Sequence, residues 1–139
     1  MAHFLTVVFV ESNEADPTNA GEQLLRPYFA RDMADSPDAK CDGFVVGGRY
    51  DGDIWGKEQH YDLTPAEYQA RYGLDVVSPE DNVCPVSVLR PGLLPFAAIT
   101  PDGQWQDCEG KSESQWQAEW SNLLEHFGDH LAVGIDCHC

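Results

Sequence analysis

The sequence predicts an α+β fold, a single sheet with helices mainly on one of its faces. Three stretches carry that prediction. Residues 4–10 form an unbroken apolar run, residues 131–139 alternate strictly, and residues 112–127 show helical spacing of their large apolar side chains. Alternation with a period of two marks a strand, and a period of about 3.6 marks a helix. The expected order is strand, helix, strand, a helical insertion, two strands, a helix and a last strand, a ferredoxin-like outline. With 139 residues the chain is expected to be one domain, 1–139, large enough for a core without staples.

The run from Phe4 to Val10 is β-branched and aromatic throughout, which suits a central strand buried on both faces. Asn13 to Asn19 is polar, contains Pro17, and reads as a loop. A helix is expected from Ala20 to about Met33, with Leu24, Leu25, Tyr28 and Phe29 on its apolar side, and Pro27 should kink or divide it. A further loop, 32–42, leads to a strand that ends in Gly47 and Gly48. Thr64-Pro65-Ala66-Glu67 is a capping box with proline at the first helical position, so a short helix is predicted over 65–72. Leu63 and Tyr68 can staple it, and Gly73 should stop it. That helix sits in an irregular excursion from about 56 to 95, with a short strand expected at Val86–Leu89. Phe96–Thr100 and Gln104–Cys108 flank Pro101-Asp102-Gly103, a hairpin signal. Ser112 and Gln115 can cap the next helix, whose stripe is Trp116, Trp120, Leu123, Leu124 and Phe127. In the last strand Leu131, Val133, Ile135, Cys137 and Cys139 share one face, and Asp136 and His138 share the other.

The chemistry-bearing stretch is Cys41-Asp42-Gly43-Phe44-Val45-Val46-Gly47-Gly48-Arg49-Tyr50-Asp51-Gly52-Asp53. Glycine accepts positive φ and close approach, and arginine presents a permanently charged fork of donors. Gly47, Gly48 and Arg49, with His138, could therefore hold a phosphate or carboxylate; a bulge with an Arg49–Asp136 ion pair is the plainer reading. If the chain stays extended, Arg49, Asp51 and Asp53 fall on one side. No dinucleotide or Walker spacing surrounds the glycines. Cys137-His138-Cys139 invites a metal reading on Cys137 and Cys139, but an extended strand turns His138 away from both thiols. Asp136 and His138, two apart on one face, could serve as a base and its orienter. His3, His60, His126 and His130 read as surface residues. No cofactor is implied.

The charge is far from ordinary: 8 basic against 24 acidic residues leave a net −16. Such a field repels nucleic acid and anionic membranes, and it favours a basic protein partner. The start of the chain has no basic segment before its apolar run, which is too short to span a bilayer, so a cytoplasmic protein is expected. Five cysteines, an odd count, fit a reducing compartment.

Val46-Gly47-Gly48-Arg49-Tyr50-Asp51-Gly52, the hairpin Phe96-Ala97-Ala98-Ile99-Thr100-Pro101-Asp102-Gly103-Gln104-Trp105, the Trp-bearing helix and the terminal Asp136-Cys137-His138 occur in an order that resembles a family of uncharacterised phage and prophage proteins. The chain departs from that pattern at Cys41-Asp42-Gly43-Phe44, where the family has a tryptophan-rich approach to the glycines, and in the middle excursion. The resemblance implies a viral or prophage origin more than a mechanism.

Three readings of function follow. The first is a phage-type acidic binding protein that inhibits a host defence machine, anti-CRISPR-like or a nucleic-acid mimic. It would occupy a basic surface through carboxylates such as Asp51, Asp53, Glu58, Asp62, Glu80 and Asp81. The second is a module that sequesters a small anion, such as a cyclic nucleotide, on Gly47, Gly48, Arg49 and His138. The third is a hydrolase using Asp136 and His138.

Overall fold

A computed structural model describes residues 2–56, 64–72 and 82–139. The elements are β1 (His3–Val10), α1 (Pro17–Leu25), β2 (Gly43–Val46), α2 (Pro65–Tyr72), β3 (Val83–Pro85), β4 (Ala97–Ile99), β5 (Trp105–Asp107), α3 (Glu113–His126) and β6 (Leu131–His138). The six strands form one mixed sheet in the order β2-β6-β1-β4-β5, with β3 also on β6. This is an α+β fold. It departs from the ferredoxin-like outline, because β1 and β4 are parallel neighbours while β1 and β6 are antiparallel.

β6 is the hub. Along one edge its whole length pairs with β1, from Val10↔Leu131 to His3↔His138. Along the other edge β2 takes residues 135–138 and β3 takes 131–133. The gap between them is Gly134, whose carbonyl accepts the Gly47 amide at 3.1 Å. Because β2 already occupies the far half of that edge, only the stretch opposite 131–133 remains for β3. The strand expected at Val86–Leu89 therefore forms earlier, and Val86–Val88 turns away as a 3-10 helix.

The helices cover both faces rather than mainly one. Trp116, Trp120 and Leu123 of α3 pack with Leu5, Val7 and Phe9, while Leu25 of α1 packs with Val8, Val10, Val133 and Ile135. The physical reason lies in β1, whose apolar side chains point both ways and need cover on both sides. Close contact of α1 uses Gly21, where an added Cβ would lie 3.2 Å from Val133 Cβ.

Local signals explain the element ends. α1 starts at Pro17, earlier than the expected Ala20: Asp16 caps it by accepting from the Asn19 amide at 3.2 Å, and proline takes the first turn. The α-helix ends before Pro27, which sits in a 3-10 turn over Arg26–Tyr28. Both halves of the capping box of α2 are formed: Glu67 N–H donates to Thr64 Oγ1 at 3.2 Å, and Thr64 N–H donates to Glu67 Oε1 at 3.4 Å. The staple at Leu63 and the stop at Gly73 lie outside the described residues. Ser112 caps α3 by accepting from the Gln115 amide at 3.1 Å. The β4–β5 turn closes with Gly103 at φ 90, its amide donating to Thr100 O at 2.9 Å.

Candidate functional site

The glycine turn, the ends of β1 and β6 and the residue before β2 meet on the face of the sheet that α3 covers. Their meeting point is Asp136, only 4% exposed. A carboxylate so deeply placed must be hydrogen-bonded to be tolerated. Its Oδ2 accepts the Arg49 amide at 2.9 Å, and its Oδ1 accepts from His3 Nδ1 at 2.8 Å. The Tyr50 hydroxyl donates to His3 O at 3.1 Å, and burial, helped by the Asp136 charge, pushes that phenol's pKa up.

The chain turns here through two consecutive positive-φ glycines, Gly47 at 80 and Gly48 at 53. A Cβ on Gly48 would strike Asp136 and lie 2.8 Å from Val45 Cγ1; one on Gly47 would lie 2.6 Å from Asn82 Nδ2. Both positions thus require glycine for space as well as for φ. The chain then leaves the extended form: Gly48–Tyr50 and Asp53–Trp55 are 3-10 turns, so Arg49, Asp51 and Asp53 do not line one side of a strand. The Arg49–Asp136 link exists, but it is the amide of Arg49, not its guanidinium, that meets the carboxylate. The Arg49 side chain is exposed.

A buried asparagine that the sequence reading overlooked fastens the same loop. Asn82, 1% exposed, accepts the Gly52 amide at 2.8 Å and donates to Asp51 Oδ1 at 2.6 Å. Arg90 grips Asp53 through Nε at 3.2 Å and Nη2 at 3.2 Å. Asp51 and Asp53, expected to meet a partner, therefore hold the loop in place. Glu58, Asp62, Glu80 and Asp81 lie outside the described residues.

Asp136 and His138 share a face as alternation requires, yet each is paired elsewhere. Asp136 holds His3, and His138 Nδ1 contacts Asp42 Oδ1 at 2.7 Å. An ionised carboxylate only accepts, so each imidazole carries its proton on Nδ1 there and presents Nε2 outward from that bond. The two rings are 4.9 Å apart, edge to face, because His3 and His138 are direct partners across the β1–β6 ladder. His3, expected at the surface, is instead half-buried against Asp136, and Asp42, expected in a loop, pairs with His138. The signal that could have found them is pairing of the first and last strands end to end.

The cysteines lead elsewhere. Cys137 is fully buried on the opposite face, beside Cys41 and within 3.4 Å of Thr6 Oγ1, while Cys139 is exposed. A hydrogen bond shared with Cys41, and burial, hold the Cys137 thiol well above its ordinary range. Burial alone pushes Cys84 up to about 12. Among the described residues, no group of three or more His, Cys, Asp and Glu side chains converges as a metal site. No helix among the described residues is long and apolar enough to cross a membrane. Comparisons with protein-family models, curated proteins and solved structures found no match to this chain.

Proposed function

We propose that this is a small acidic binding protein that occupies a basic surface on a nucleic-acid-handling protein, as a nucleic-acid mimic inhibiting a host defence machine. The observation that carries the reading is the placement of exposed carboxylates at one end of the sheet. Val10 pairs with Leu131, so the loop carrying Glu11, Glu14 and Asp16 adjoins the turn carrying Asp129. β4 runs parallel to β1, so its hairpin brings Asp102 to the same end. All five are exposed. The imidazole of His130 reaches into this end, 3.4 Å from Glu11 and 2.7 Å from Asp129. With a net charge of −16 behind them, these carboxylates favour rapid, steered encounter with a basic groove. The defence setting draws its support from the resemblance to phage proteins. Sequestration of a small anion has less support, because the Gly47 and Arg49 amides that would cradle it are held by Gly134 and Asp136.

The test is inhibition of a captured bacterial nuclease at about 50 and about 300 mM salt, where the Debye length falls from roughly 14 to 6 Å. The proposal expects inhibition to weaken steeply with salt and in a Glu11→Lys/Glu14→Lys/Asp129→Lys variant, and duplex DNA to compete. Inhibition indifferent to salt and to charge reversal would sink it.

A further inference from the structure

We propose that His3 and His138 form a chelating site for a borderline first-row transition cation such as Zn²⁺, with Asp136 and Asp42 as the carboxylates that orient the two imidazoles. This site lies apart from the acidic end of the sheet and does not depend on the partner reading.

The argument begins with the ladder. His3 and His138 are opposite residues on antiparallel strands, and such pairs bring their Cβ atoms to about 4.5–5.5 Å on one face. The ring centroids are 4.9 Å apart. Two rings at such a separation are close enough to share one cation bound at about 2.0–2.1 Å from each nitrogen. Tautomer comes next. Each Nδ1 is engaged by a carboxylate, at 2.8 Å for His3 and 2.7 Å for His138, so the neutral rings keep a lone pair on Nε2. Histidines that ligate metals characteristically give their other N–H to a carboxylate or carbonyl, which fixes the ring and raises its basicity. Here both rings have that arrangement, and one carboxylate is itself fixed by the Arg49 amide.

Charge and access agree with the assignment. Asp136 and Asp42 stand behind the imidazoles and offset a dication. The side chains of His3 and His138 are 28% and 27% exposed, so solvent reaches them. Two imidazoles select Zn²⁺, Cu²⁺ or Ni²⁺ over Mg²⁺ and Ca²⁺, which prefer oxygen ligands. Water or an added ligand completes the coordination shell.

The experiment is calorimetric titration of the full chain with Zn²⁺, with Mg²⁺ as the control cation. One equivalent of Zn²⁺ and no Mg²⁺ should bind; His3→Gln and His138→Gln should each weaken Zn²⁺ at least tenfold, and His126→Gln should leave it unchanged. Asp42→Asn should weaken it about 10–100-fold, as loss of an orienting carboxylate does. Ring ¹⁵N shifts of the unmodified protein serve as the second measurement, independent of whether the variants fold. Zn²⁺ must move Nε2 of His3 and His138 together. Absence of binding, binding that survives in the double His3→Gln/His138→Gln variant, or shifts confined to His126 and His130 would overturn the assignment.

Discussion

Replacing Gly48 by alanine tests whether the glycine turn is built around Asp136. Two glycines with positive φ make the comparison internal. Gly92 has φ 84 and open space where a Cβ would stand, whereas a Cβ on Gly48, at φ 53, would strike Asp136, 2.7 Å from its Cβ. Gly92→Ala should therefore cost only the left-handed conformation, about 1–2 kcal/mol. Gly48→Ala bears a similar conformational cost and must also push Asp136 aside. That displacement breaks the 2.9 Å bond from the Arg49 amide to a carboxylate. A hydrogen bond to a charged group contributes about 1.5–3 kcal/mol, so the total is about 2.5–5 kcal/mol. Against a native stability of about 5–15 kcal/mol, this is a large fraction. Urea unfolding followed by far-UV circular dichroism gives both numbers, provided the slope with denaturant is unchanged. A Gly48→Ala cost equal to or smaller than that of Gly92→Ala would refute the idea that the turn is shaped by the carboxylate.

Two further outcomes follow from buried groups. Asn82→Ala removes the bonds to the Gly52 amide at 2.8 Å and to the Asp51 carboxylate at 2.6 Å, and should cost about 2–4 kcal/mol in the same unfolding assay; a loss under half a kcal/mol would contradict the anchoring role. Cys84 titrates near 12 in the folded state against an ordinary value of 9.0, so the folded chain favours the neutral thiol. Its contribution is intact below about pH 9 and is lost as pH rises toward 12. Unfolding midpoints of the parent and Cys84→Ala should therefore converge as pH rises through that window, and a gap that widens would contradict the assignment.

Periodicity and capping were enough to place most helices and strands, because these depend on residues a few positions apart. The capping box at Thr64, the Ser112 cap and the Asp-Gly hairpin at 102–103 are of this kind. Pro17 misled as a loop marker, since proline serves equally at the first turn of a helix. Which face each helix covers was less accessible: the two-sided apolar run of β1 implied cover on both sides, but only pairing reveals which helix goes where. The site was legible in part. Gly48 and Arg49 do meet Asp136, while His138 lies opposite Gly43 and pairs with Asp42, and these roles depend on register. His3 enters only because β1 and β6 pair end to end, and Asn82 only because β3 shares an edge of β6 with β2. Neither follows from neighbours in the chain.

The position of β6 has a consequence for synthesis. It is the strand that joins β1 to β2 and β3, and it is translated after all of them. At roughly 5–20 residues per second, the chain between Val10 and Leu131 takes on the order of ten seconds to make. Once β1 emerges from the ribosome, its β6 edge stays unpaired for the rest of that interval. An unpaired strand edge is a template for aggregation, so the β6 edge of β1 stays a liability until residues 131–138 are made and the sheet closes.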